Sequence, residues 1–317
     1  MLLLAAKQGG TADSAFSSLL VGTKMLFLFA SIISALIEKL HVGGDFMETI
    51  VFAGVGAMAE AIIQGFVKEG VVPPRNMYVM NKSDKEKLQK IAHKYGVQIV
   101  CEDRAILAKA DLLILAMKPK DIQGAMENLF PYLGVNTTVL SVAAGVSMQS
   151  IEEKLGKRPI VRVMPNTSAS IGMSASGIAF NRLVTDSQKD VFIGMLEAIG
   201  LVIEVEEDEL HAVTALSGSG PAYLYYLVEA FEQAGMKFGL SQKTVRNLAV
   251  QTIAGAAEML KQTNEEPSEL RRKVTSPGGT TEAGIKALEE HDFKEIIMAC
   301  VQNAEAKSRE LSALLDK

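Results

Sequence analysis

"IVFAGVGAMAEAII", residues 50–63, is the stretch on which the fold turns. Its first four residues are apolar and rich in β-branched and aromatic side chains, as in a strand buried on both faces. Gly54, Gly56 and Ala59 follow in G-x-G-x-x-A spacing, and the run from Ala57 is amphipathic at helical period. A glycine at the first position permits a tight turn, and one at the second lets backbone approach a pyrophosphate. The small third residue lets helix and strand pack closely. Unpaired N–H groups at the positive end of the new helix would then hold phosphates. Such a motif is weak alone; its weight comes from what surrounds it.

Outward from this junction, short apolar runs alternate with amphipathic ones. "NMYVMN", "VQIV", "DLLILAM", "TTVLSV", "PIVRVM", "ASGIAF" and "LVIEV" read as strands. Helices are predicted over "AMAEAIIQGFVKEG" and "SDKEKLQKIAHKYG" (capped by Ser83), near 103–109, from Pro119, from about Ser147, and near 186–199. This alternation predicts a mostly parallel α/β sheet covered by helices on both faces, over residues 47–206. The acidic "EEDEL" at 206–210 marks a change of regime, and residues 207–317 read as all helix. Val245, Leu248, Ala249, Thr252, Ile253, Ala256, Ala257 and Leu260 recur at helical spacing behind a Ser241 cap. Phe293, Ile296, Ile297, Cys300, Val301 and Ala304 share one face of a final helix. Helices this apolar either pack on one another or interlock with a second copy.

The 317-residue chain has 48% hydrophobic and 22% charged residues, a globular balance with room for two cores. A net charge of -5 offers no basic surface, so nucleic acid is not an expected partner. Cys101 and Cys300 lie far apart, which fits reduced thiols in the cytoplasm better than a disulfide framework. The four histidines are scattered, and no metal site is expected. Residues 1–46 differ from the rest. "MLFLFASIISALI", 25–37, is short for a membrane span but close to the core of a signal peptide. A membrane-directed segment, a packed extra helix and translated upstream sequence compete; the last is favoured, because Met47 stands directly before a self-sufficient domain start.

The second predicted strand ends in "MNKSDK", where an NAD-selective site usually places a carboxylate for the ribose hydroxyls. Asn81 is neutral and Lys82 basic, so NADPH is favoured, with NADH possible because Asp84 lies close by. Asp84 otherwise supplies helix-start charge. "LAMKP", 115–119, ends the fourth strand at the carboxyl edge of the sheet, where Lys118 is expected near cofactor. "SVAAGV", 141–146, could form a close wall for the nicotinamide half. Near the other end, "VTSPGGTTEAGIKALEE", 274–290, sets two glycines before a helix. The N–H groups of Gly279, Thr280 and Thr281 would receive a small carboxylate, unless Ser276 or Thr280 caps them.

"ALSGSGPAYLYYLVEA" (215–230) and "VRVMPNT" (161–167), with "FAGVGAMAEA", "AMKP", "SVAAGVS" and "ELRRKVTSPGGTTEAGIKALE", closely resemble pyrroline-5-carboxylate reductase over residues 48–312. The resemblance implies an NAD(P)-binding Rossmann domain, a helical dimerisation domain, a site between them, and the last reduction of proline synthesis. It implies cofactor contacts at Ala53, Gly54, Val55, Gly56, Ala57, Met58, Asn81, Ala116, Met117, Lys118, Pro119, Val142, Ala143 and Ala144. Lys82 joins these on charge. Ser276, Gly279, Thr280 and Thr281 would hold the pyrroline carboxylate and ring, with Thr281 beside the imine nitrogen as the catalytic residue. The implied assembly is a homodimer or a larger group of dimers, with no membrane partner. Asp103 stands where the family often has Asn, which puts that cofactor contact in doubt. Glu207 reads as part of a solvated acidic run rather than a substrate contact. The nearest rivals are a β-hydroxyacid dehydrogenase or a different imine reductase on the same fold; the hydroxyacid enzyme would need a general acid or base such as Lys237, Lys243 or Lys261, and none adjoins a glycine-rich segment. A non-catalytic NADP-binding regulator would not need both "SGSGPAY" and "SPGGTT".

Overall fold

The computed structural model describes residues 47–315. The readings of residues 1–46 therefore lie outside the described residues. An eight-stranded sheet is built from β1 (Ile50–Ala53), β2 (Met77–Met80), β3 (Gln98–Ile99), β4 (Leu112–Leu115), β5 (Thr138–Ser141), β6 (Ile160–Met164), β7 (Ser174–Phe180) and β8 (Gly200–Glu204), in the order β3-β2-β1-β4-β5-β6-β7-β8. Helices α1 (Ala57–Lys68), α2 (Lys85–Tyr95), α3 (Pro119–Leu129), α4 (Met148–Leu155) and α5 (Asp186–Leu196) make the crossovers.

Alternation along the strands explains the two cores. Ile50 and Phe52 of β1, with Leu112 and Ile114 of β4, pack with Ile62, Phe66 and Phe192 on one face. Val51, Ala53, Leu113 and Leu115 turn to the other and meet Ile122, Ile151 and Leu155. A period-2 strand that is apolar at every position can only be covered on both sides.

All pairings are parallel except β6 with β7. The link 165–173 is too short for a helical crossover, so the chain reverses through a 3-10 turn at Thr167–Ile171. Three local expectations are revised. Asp84, not Ser83, caps α2, accepting from Lys87 N at 2.9 Å. The helix near 103–109 is a 3-10 turn, Ala105–Lys109, entered through Asp103, whose Oδ1 accepts from Ala105 N at 3.2 Å. The helix over 186–199 gives way to a 3-10 turn at Glu197.

Beyond β8 the chain is helical: α6 (Leu210–Val213), α7 (Gly220–Lys237), α8 (Gln242–Thr263), α9 (Pro267–Lys273), α10 (Thr280–Glu290) and α11 (Phe293–Leu315). Ser241 caps α8 as expected, accepting from Thr244 N. A π turn, Thr214–Gly218, joins α6 to α7, with Ser219 N reaching Thr214 O at 2.8 Å. Pro221 follows and has no N–H to offer Ser217 O, its normal helical acceptor. Asn166 Nδ2 takes that carbonyl instead, at 3.0 Å. Within the helical region, α7 and α8 are joined by the nearly buried Glu232, which accepts from Arg246 and Gln242. The last helix runs back to the sheet domain, where Gln123 donates to Leu315 O.

Candidate active site

Four separate segments converge at the carboxyl edge of the sheet, on either side of the point where strand order reverses between β1 and β4. Backbone bonds fasten them to one another. Gly54 N donates to Met80 O, Ala116 N to Ala53 O and Val142 N to Leu115 O, at 2.9, 2.9 and 3.1 Å. Ala53–Met58, Asn81 with Lys82, Ala116–Pro119 and Val142–Ala144 thus form one continuous rim.

The two fingerprint glycines serve different needs. Gly54 sits at φ +101°, and a Cβ there would meet Ala116 O at 2.8 Å, so the fold itself requires glycine. At Gly56 a Cβ would meet only Ala116 O, at an ordinary 3.6 Å. The fold tolerates a side chain there, and the space that glycine leaves in front of α1 is what a pyrophosphate needs. No side chain caps α1 at Gly56, and none caps α3 at Lys118, so both helix starts present unpaired N–H groups to the crevice. Ala59 is fully buried and seats α1 on the sheet. These features fit a dinucleotide.

At the end of β2, the helix-start role of Asp84 is the one observed. Its carboxylate is held by Lys87 N, while Asn81 Nδ2 donates to Asp84 O at 3.3 Å. Asn81 and exposed Lys82 remain as the polar groups beyond β2. Beyond β5, Ala143 is buried and its N–H donates to Ser141 Oγ.

The "SPGGTT" turn lies elsewhere in the chain. Gly279 is the residue before α10 and supplies no side-chain cap. Its N–H donates to Ser276 O at 2.9 Å, so it is committed to the turn and is not the free donor the sequence suggested. Gly278 N donates to Glu282 Oε2 at 2.8 Å. The N–H groups of Thr280 and Thr281 have no acceptor among the described residues, and neither Ser276 nor Thr280 caps them. Ser276, Thr280 and Thr281 are exposed. No hydrogen bond among the described residues links this turn to the sheet domain of its own chain.

Two residues of the junction carry more than their sequence signal suggested. Asn166 of "MPNT" accepts from Ser168 N and donates to Ser217 O, so it joins that motif to "SGSGPAY". Only the Pro221 deficit reveals this role, and it needs the helix register to be known. Glu207 is not a solvated charge. It accepts from Met148 N at 2.7 Å and from Arg162 Nη1 at 2.8 Å. Nearby, His211 Nδ1 lies 2.9 Å from Ser308 Oγ, and burial, then the positive Arg309 and Arg162, hold its imidazole below its ordinary pKa. Burial likewise raises the Tyr223 phenol, which bonds with Ser219 and Cys300.

A glycine-turned crevice at the carboxyl edge of the sheet, followed by a helical domain, is the build of a nicotinamide-dependent oxidoreductase. Comparison with known proteins narrows the class. The family model described as pyrroline-5-carboxylate reductase dimerisation matches residues 207–311, and one for NADP oxidoreductase, coenzyme F420-dependent, matches 49–145. Pyrroline-5-carboxylate reductase 2 of Bacillus subtilis is 40% identical over 269 residues, spanning 84% of this chain and 95% of the relative. The solved reductase of Coxiella burnetii superposes with a TM-score of 0.78 at 38% identity, covering 84% of this chain and 98% of its own. That of Plasmodium falciparum, solved with NADP bound, gives 0.73 at 29% identity, covering 84% and 99%. The chain belongs to the pyrroline-5-carboxylate reductase family.

Proposed function

We infer that this protein reduces pyrroline-5-carboxylate to proline with NADPH as the preferred donor, in the cytoplasm, as a homodimer or an assembly of dimers. The observation that carries the reaction is the match over 95% of the length of a reductase at 40% identity, with both recognition segments intact. When bound, the nicotinamide supplies hydride to the electrophilic carbon of the cyclic imine. What the chain supplies is binding, orientation and exclusion of water.

The family resemblance gives each part of the chain a role that its geometry supports. The uncapped start of α1 and the open space at Gly56 hold the pyrophosphate. Asn81 and Lys82 favour a 2′-phosphate, and the carboxylate of Asp84 is occupied as the cap of α2. Val142–Ala144 form the wall for the nicotinamide. The N–H groups of Thr280 and Thr281 take the substrate carboxylate, and the Thr281 hydroxyl faces the ring nitrogen, where it can both donate and accept. Since, among the described residues, the turn makes no hydrogen bond to the sheet domain, a second copy brings it to the cofactor. The exposed apolar faces of α7, α8 and α11 support that assembly. A cytoplasmic setting accords with the free cysteines Cys101 and Cys300.

The test is direct. Purified protein, with and without residues 1–46, is given pyrroline-5-carboxylate with NADPH or NADH, and cofactor oxidation is followed beside proline formation. Stoichiometric proline, made faster with NADPH at equal concentration, is the expected result. Cofactor oxidation without proline would reject the substrate, and a preference for NADH would reject the role given to Asn81 and Lys82.

A further inference from the structure

The acidic segment Glu206–Glu209 between the sheet and the helices is not used by the reading above, yet its carboxylates are placed in three different directions. Glu209 turns back and accepts from Glu206 N at 2.8 Å. Asp208 faces the last helix, pairing with Arg309 through both oxygens at 2.5 and 2.8 Å. Glu207 faces the sheet domain, where one oxygen receives both Met148 N and Arg162 Nη1. The segment is therefore a clasp with one arm on each domain.

The two donors to Glu207 bracket the proposed nicotinamide wall. Arg162 lies in β6 beside Ser141, the last residue of β5. Met148 is the first residue of α4, at the far end of the loop 142–147. The Arg162 side chain is only 8% exposed, and among the described residues Glu207 is its sole carboxylate partner. Removing that partner would leave a nearly buried cation uncompensated. It would also strip an acceptor from the first turn of α4, whose early N–H groups have none inside the helix. Both losses fall on the ends of a single loop.

We propose that Glu207 is a positioning residue for hydride transfer: through Met148 N–H and Arg162 it fixes the loop 142–147, and so the nicotinamide side of the site, relative to the dimerisation domain. This rests on the reductase reading and on the assignment of Val142–Ala144 to the nicotinamide. Because a reacting carbon displaced by about an ångström can cost on the order of 100-fold in rate, a loosened wall acts mainly on kcat.

Four proteins decide it: the parent, Glu207→Ala, Glu207→Gln and Asp208→Asn. The last weakens the clasp on its helical arm without touching the loop. Glu207→Ala is expected to lower kcat by about 10-fold or more, with a smaller change in KM for NADPH. It should also raise the primary deuterium isotope effect from 4-deuterated NADPH, and speed amide exchange across 142–148 in protein free of cofactor. Glu207→Gln keeps an acceptor for Met148 N–H and should retain the larger part of kcat. Asp208→Asn should lower Tm with parental kcat and isotope effect. If Glu207→Ala does not fold, Glu207→Asp, one methylene too short to reach both donors, replaces it in every comparison.

The inference is overturned if the Glu207 variant behaves like Asp208→Asn, losing Tm alone, with exchange of the loop unchanged. A parent that makes no proline would instead overturn the reductase reading and the role in hydride transfer with it. Amide exchange in the cofactor-free protein keeps that outcome distinct from failure of the tether.

Discussion

Thr281 stands in the first turn of α10, exposed, with an N–H that no acceptor among the described residues takes. If its hydroxyl serves the ring nitrogen, Thr281→Ala should lose about 1 to 3 kcal/mol of transition-state stabilisation, mostly in kcat. Thr281→Ser should keep most of the activity. A loss of Tm in the alanine protein with kcat/KM at the parent value would make Thr281 only a helix-start residue. His211 offers a different test. Its folded pKa lies below its ordinary value, so the unfolded chain binds the proton more readily. Its contribution to stability is complete above about pH 6.5 and is lost as pH falls from there through the folded pKa. Tm of the parent should therefore drop on acidification through this window, and His211→Asn should flatten that part of the profile; parallel curves would remove His211 as the cause. At this scale the sequence was legible where backbone chemistry decides the residue, as at Gly54. It was opaque at Glu207 and at the bond from Asn166 to Ser217, because those partners lie 45 or more residues away and no local pattern announces them.

At the scale of elements, the opening strand, turn and helix carry their own explanation. Because a Cβ at Gly56 meets nothing closer than 3.6 Å, Gly56→Val should fold with parental Tm and lose NADPH binding, read by the fluorescence of the bound cofactor. Retained affinity would remove the fingerprint from the site. The end of β2 makes a separate claim. Asn81→Asp with Lys82→Ala places a carboxylate where a 2′-phosphate would lie, so the ratio of kcat/KM for NADPH over NADH should fall. An unchanged ratio would place selectivity elsewhere. Element identity was readable here because β1 and β4 are apolar at every position and α1 is not. The reversal at β7 was written less openly: only the shortness of 165–173 distinguishes a hairpin from another crossover. Ser83 and Asp84 both make good caps, and sequence alone does not decide which hydrogen bond wins.

At the scale of the whole molecule, the helical domain is unfinished in one chain. α8 has 22 residues and buries only Val245 and Ala249, while Leu248 stays 57% exposed, as do Tyr226 at 74% and Ile296 at 58% on the neighbouring helices. The apolar spacing was legible, but periodicity does not say whether the covering surface belongs to the same chain, and among the described residues nothing covers these faces. If the partner also carries the "SPGGTT" turn to the cofactor, two impaired proteins can repair each other. Gly56→Val spoils the cofactor crevice and keeps the turn; Thr281→Ala spoils the turn and keeps the crevice. In a mixed dimer one site then combines the sound crevice of one chain with the sound turn of the other, and the second site combines both defects. After unfolding and refolding an equimolar mixture, half the dimers are mixed and each has one working site. Activity should return to about a quarter of the parent's per chain, added to the small residue from the Thr281→Ala dimers. Mixing without refolding should restore none of it while the dimers do not exchange. If each site were built within a single chain, every site in the mixture would keep one defect. The refolded sample would then show only the average of the two variants, and a second copy would be needed for stability alone.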